Sequence, residues 1–334
     1  MSWASRHRLG VIVVGALLLL LLSVRLAMPA IIKKVVEAKL ETMPGGFQGT
    51  LEDVDVRGMG SEIALLDFRI TKKNGAVPVP FLHAKEFVLL TVRDGWKLRT
   101  AMRYVQPTFS WVDAESEAKK QLGPRNVVEN LRDRLPFELL YVEVQDGTAH
   151  FRNFQTKPDM DLYASHVNVR WDDLVGCLPP GNAACRSQLT GTARVLKSGS
   201  LKLKGRFARN PENDFHVTAH LRGLRAPELN PFLAQYVKIK MQAGELALDA
   251  RYDRHGDRHD ALLIPLLEGV EVANVEGEDK SFLRKVGAGL AAGWFERKKG
   301  DKGIAITKKP NGESEFEIVD QPNVRRPSDA KADD

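Results

Sequence analysis

FHVTAHLRGL, residues 215–224, alternates apolar and polar side chains through most of its length. Phe215, Val217, Ala219 and Leu221 fall on one side, and His216, Thr218, His220 and Arg222 on the other. A period of two belongs to a β-strand with one dry and one wet face, the pattern of an antiparallel sheet. LKLKGRF repeats it, with Leu201 and Leu203 opposing Lys202 and Lys204, and GELALDARY sets Leu246, Leu248, Ala250 and Tyr252 on one side. LLDFRITKKNG places Leu66, Phe68 and Ile70 against Asp67, Arg69 and Thr71, and stops at Asn74-Gly75, a hairpin dipeptide. LEDVDVRG (51–58) and LLYVEVQDGTAHFRNF (139–154) read as further short strands.

Helical interruptions are few, which argues against a parallel βαβ fold. Asn126–Leu135 reads as a short helix ended by Pro136, and Leu229–Val237 as another with Asn230 as N-cap and Pro231 at the first helical position. A third covers 281–300, where Phe282, Val286, Leu290 and Trp294 recur every four residues, joined by Leu283 and Phe295. Ser281 caps its start and Gly300 follows a basic last turn, but Gly287, Gly289 and Gly293 weaken it in isolation. It needs a surface: one end of the sheet, a membrane, or an apolar groove that it plugs. The stretch 301–319 reads as a terminal strand region, and 320–334 has no apolar periodicity and the composition of a disordered tail.

The N-terminus fixes where these strands work. Leu9–Val24 is an uncharged run of sixteen residues, and continuing through Arg25, which can snorkel, to Ile32 brings it to a bilayer span. A cleaved signal peptide competes with this reading. Arg25 and Met28, however, stand where small residues precede a cleavage site, which favours an uncleaved signal anchor at 9–32. The expected arrangement is a cytoplasmic tail at 1–8 and a β-sheet domain at 33–278 on the far side, since long domains translocate largely regardless of charge.

Cys177 and Cys185, the two cysteines, flank a turn-forming stretch that suits a disulfide in an oxidising compartment, with two unpaired thiols as the alternative. Neither supplies a zinc site, for want of a second ligand pair. The net charge of +6 is spread through strands that also carry acids, and no aromatic-interleaved basic module accompanies it, so nucleic acid is an unsuitable partner. Anionic lipid near Lys33–Lys39 and Arg297–Lys299 is a better one.

No catalytic motif is present: Gly-x-Ser-x-Gly, a phosphate-cradling Gly-Lys-Ser/Thr loop and His-Glu-x-x-His are all missing. His216 with His220 on one strand face, and His255 with His259 beside Asp253, Asp257 and Asp260, are the two spots that resemble metal sites. Both read better as solvated strand and turn residues, so no metal or cofactor is expected.

RLAMPAIIKKVVEAKLETMPGGFQGTLEDVDVRG (25–58) resembles the opening of the AsmA-like bacterial envelope proteins, in a branch described only as a domain of unknown function. NGAVPVPFLHAKEFVLLTV (74–92), VQPTFSWVDAESEAKKQ (105–121), LRAPELNPFLAQYVKIKMQAGELALDARY (224–252) and LLIPLLEGVEV (262–272) continue the resemblance over roughly 25–275. It implies an elongated, curled antiparallel sheet with an apolar concave face, of the repeating β-groove type. The dry-face set, Leu201, Leu203, Phe215, Val217, Ala219, Leu221, Leu246, Leu248 and Tyr252, would then line a lipid groove. Twelve to fourteen strands at about 4.8 Å would extend roughly 60–70 Å. The expected function is that of an inner-membrane-anchored periplasmic module, not an enzyme, that holds or passes on phospholipid. An envelope protein binding a partner through a sheet edge or the 281–300 helix is the alternative.

Overall fold

The structure is a computed structural model. It describes residues 3–43, 46–73, 77–94, 97–114, 121, 139–157, 159–173, 186–208, 215–237, 240–255, 258–273, 302–308 and 314–320. The Asn74-Gly75 turn, the helices expected at 126–135 and 281–300 with Phe282, Leu283, Val286, Leu290, Trp294 and Phe295, the pair Cys177 and Cys185, and the tail beyond Asp320 lie outside these residues.

The chain is mainly β. A helix, α1 (Trp3–Glu41), precedes β1 (Phe47–Thr50), β2 (Asp53–Arg57), β3 (Glu62–Lys72), β4 (Leu82–Asp94), β5 (Lys97–Val112), β6 (Leu139–Asn153) and β7 (Met160–Asp172). Then come β8 (Arg186–Val195), β9 (Gly199–Ala208), β10 (Phe215–Arg225), β11 (Lys240–His255), β12 (Arg258–Ala273), β13 (Lys302–Lys308) and β14 (Ser314–Asp320). All belong to one 14-stranded sheet whose path runs from β1 through β3 to β14, with β2 beside β3. Among the described residues the path is open, with no pairing from its first strands to its last.

The pairings are antiparallel with one exception: β5 and β6 run parallel, Met102 beside Val142 and Trp111 beside Phe151. This corrects a purely antiparallel expectation. Its cause is the stretch 113–138, long enough for the crossover that a parallel pair requires.

A second correction concerns which residues share a face. Asp67, Gln106, Asp146 and His166 have φ of 48, 46, 50 and 49°, the left-handed region, in the middle of β3, β5, β6 and β7. Each lies where the pairing skips a position, so the four form a crease across the sheet. Side-chain alternation changes parity there. Tyr104 and Phe109, on either side of Gln106, put their rings 6.4 Å apart on one face. Likewise Leu65, not Leu66, joins Phe68 in the core, with Ile70 packed against them. Asp and His tolerate this conformation better than most residues, and a locally irregular strand bends and twists more strongly. Side chains bridge the crease: Asp67 to His83 at 2.6 Å, and Asp146 to both His166 at 2.9 Å and Gln106 at 3.4 Å.

The best-packed core lies at the start of the sheet. Leu51, Val54, Leu65, Phe68 and Leu82 are buried, with Ile32, Val36 and Leu40 of α1 laid over them at helical spacing. Gly49 makes the approach possible, since a Cβ there would meet Leu40 Cδ2 at 2.7 Å. Lys73 Nζ donates to the Glu41 carbonyl at 2.6 Å and satisfies the end of α1. Further back, Leu19, Leu22 and Leu26 of α1 are exposed. Among the residues whose side chains are described, no helix is long and apolar enough to cross a membrane.

Between β10 and β11 the chain makes a strap of three short turns: a 3-10 turn (Ala226–Leu229), one α-turn (Asn230–Phe232) and a π-turn (Leu233–Val237). The regular helix expected over Leu229–Val237 is therefore broken, and Asn230 is not its N-cap. Its side chain instead clamps Met241, donating to the Met241 carbonyl and accepting from the Met241 amide, both at 2.8 Å. Two hydrogen bonds to one strand residue outcompete a single capping bond.

Candidate functional site: the apolar face of β7–β12

The register of β7 to β12 arranges the dry face as rows. Leu189, Gly205, Val217, Tyr252 and Ala261 stand opposite one another in succession across β8 to β12. Gly191, Leu203, Ala219, Ala250 and Leu263 form the next row, and Ala193, Leu201, Leu221, Leu248 and Pro265 the one after. Leu246 pairs with Leu224 and Leu267 one step further. The second row extends by backbone register to Ile304 of β13 and Ile318 of β14. All nine residues singled out from the alternation thus occupy one face of β9, β10 and β11.

None of the nine is buried. Tyr252 is 39% exposed and the others are half-buried, whereas Leu65 and Phe68 in the first core are 3% and 5% exposed. Small residues keep this face low: Gly191, Ala219 and Ala250 share a row, and a Cβ on Gly205 would lie 3.1 Å from the Phe207 ring.

Aromatic rings border one margin. Trp171 and Phe207 have centroids 4.6 Å apart, Phe207 and Phe215 5.6 Å, and Phe215 and Tyr252 5.1 Å, a chain of rings reaching from β7 to β11. The Trp171 indole donates to Ser187 Oγ at 2.5 Å, satisfying its polar edge while the ring stays among carbon atoms. Sequence reasoning missed Trp171, which the alternation of Val167, Val169 and Trp171 could have found, while the packing of Phe207 depends on the register of neighbouring strands.

The strap borders the other margin. Leu233 packs with Ala226 and Met241, flanked by Leu229, Phe232 and Val270. Tyr236 holds its end, donating to Asp113 Oδ2 at 2.7 Å and accepting from Asn153 Nδ2 at 3.2 Å. Burial pushes the Tyr236 phenol above its ordinary pKa, and the Asp113 carboxylate adds to this. No sequence signal identified this latch, which joins three distant segments.

The opposite face is polar and laced with charge pairs. His216 meets Asp253 at 2.6 Å, while His220 and Arg222 meet Asp249 at 2.7 and 2.6 Å. Burial raises the Asp253 carboxyl, but hydrogen bonds from His216 and Arg251 outweigh it and hold the group below the usual carboxylate range. The histidines thus stand in cross-strand ion-pair positions. Among the described residues no group of three or more His, Cys, Asp or Glu is placed to hold a metal ion. The side chains of His255 and His259 lie outside those described.

No protein-family model matches the chain, and no curated protein is similar to it. What the site can do therefore rests on its own chemistry, that of a half-buried apolar surface on one side of the sheet.

Proposed function

We propose that this protein is a membrane-anchored, non-catalytic module of the bacterial cell envelope that holds or passes on phospholipid along the apolar face of its sheet. The observation that carries the reading is the incomplete burial of the large apolar side chains in the first three rows from β8 to β12, whereas Leu224 and Leu267 beside the strap are buried. A contiguous apolar surface left half-covered over this breadth suits an interaction site, and acyl chains would gain about 0.8 kcal/mol per buried methylene on it. The open path of the sheet agrees with a trough rather than a sealed barrel.

The anchor in this reading is the front of α1. That helix is 39 residues long, about 58 Å at 1.5 Å per residue, and the portion packed on the sheet begins near Ile32. The uncharged run Leu9–Val24 precedes that portion, and most of its side chains lie outside the described set. A span there, the sheet in the periplasm and kinship with the AsmA-like proteins together form one coherent proposal.

The test is photo-crosslinking in Gram-negative cells with the full chain. A photoreactive amino acid replaces Val217 on the apolar face or, as the control, Thr218 on the polar one. Phospholipid adducts at 217 and none at 218 are expected. A protein adduct at 217 in place of lipid would turn the face into a partner-binding surface, and an unreactive 217 would remove the lipid reading.

A further inference from the structure

We propose that a depression on the polar face, across β6 to β9, is a binding site for a phosphate group. The depression has a volume of about 530 Å³ and includes residues of β6, β7, β8 and β9, next to the crease. Five charged side chains line it, and three of them are already matched. Glu143 is bonded to Arg103 at 3.0 Å, Asp146 to His166 at 2.9 Å, and Arg170 to Asp172 at 2.9 Å. Lys202 and Lys204 have no ion-pair partner among the described residues, and the only acid of the depression not paired with an arginine is Asp146, whose partner is a histidine.

The register surrounds these lysines with hydroxyl groups. Lys202 stands opposite Thr192 and Lys204 opposite Thr190, and all four line the depression. On the far side Lys204 is opposite Thr218, so no acid adjoins it across either neighbouring strand. Lys202 faces His220, whose partner Asp249 is shared with Arg222.

Residues two apart on a strand lie about 6.7 Å apart on one face. Two ammonium groups at that separation can donate to different oxygens of one phosphate, in charge-assisted hydrogen bonds of about 2.8 Å. The threonine hydroxyls can donate to the remaining oxygens. The site lies through the sheet from the apolar rows. A phosphate held here is therefore not the headgroup of a lipid whose chains lie on those rows, and the inference stands apart from the proposed function.

The experiment titrates the full chain in neutral detergent micelles with inorganic phosphate, by calorimetry, and repeats the titration in mixed micelles carrying phosphatidic acid. One phosphate per chain is expected. Lys202→Gln and Lys204→Gln should each weaken binding about tenfold, and Thr190→Val, which keeps both charges, should weaken it less. Phosphate affinity unchanged by phosphatidic acid would assign the site to a soluble phosphate compound, and competition would assign it to a lipid headgroup from another surface. Wild-type affinity in both lysine variants, or no saturable binding of either probe, would overturn the proposal.

Discussion

The Tyr236 hydroxyl donates to the Asp113 carboxylate at 2.7 Å across 123 residues of sequence. One hydrogen bond thus ties the strap between β10 and β11 to the end of β5, with Asn153 of β6 as the third member. The Tyr236 ring also packs against Phe232, with centroids 5.0 Å apart and the rings tilted, which helps hold the turn on which it sits.

Tyr236→Phe keeps the ring and removes the hydroxyl. It should lower stability by about 1 kcal/mol, the net worth of one hydrogen bond, with the loss concentrated in the strap. Hydrogen exchange at 226–237 should accelerate well before the strands of the sheet respond. Uniform acceleration through β10 and β11 would instead mean that the strap and the sheet open as one unit.

The crease offers a backbone test at Gln106, whose φ of 46° suits glycine. Its side chain is exposed, and Val and Gly both lose its 3.4 Å hydrogen bond to Asp146, so the difference between the two substitutions is a backbone effect. Gln106→Val should destabilise by about 1–3 kcal/mol, because a β-branched residue is poorly tolerated in the left-handed region, whereas Gln106→Gly should be nearly neutral. Denaturation midpoints of the two variants measure the difference. Equal midpoints would show that the strand can flatten at no cost.

Asp253 gives the acid limb of the stability profile. Its pKa in the folded chain lies below that of the unfolded chain, since His216 and Arg251 hydrogen-bond the charged carboxylate and overcome its burial. A depressed carboxylate contributes stability that is fully present above the unfolded pKa, about 3.9, and lost as pH falls through the folded value. Asp253→Asn should therefore be less stable than the parent at pH 6, and the gap should close as pH is lowered below about 4. Unfolding midpoints across that window check the sign, and a gap that stays constant would assign the effect to packing.

The strands of β9, β10 and β11 were legible because alternation runs through them almost without interruption. Leu201, Leu203, Val217 and Leu248 needed no knowledge of their neighbours to be placed on one face. Leu66 was misplaced for a local reason: the left-handed step at Asp67 shifts the parity, and Asp in a strand reads like any polar residue on a wet face. Asn230 was misplaced for a distant reason, since its competing partner, the backbone of Met241, comes beside it only once β11 is paired. The parallel pairing of β5 and β6 was invisible in the same way, as strand direction depends on where a crossover returns.

The sequence by itself determined a chain of one-sided strands behind an apolar N-terminal run, because side-chain period and hydropathy are properties of consecutive residues. Only the tertiary structure decided the order of the strands, the crease across β3 to β7, the aromatic margin from Trp171 to Tyr252, the strap latch at Tyr236 and the surroundings of the lysines of β9. Each of these depends on register, the hydrogen-bonded alignment of residues far apart in the chain. Register is fixed by the sheet as a whole rather than by any one strand.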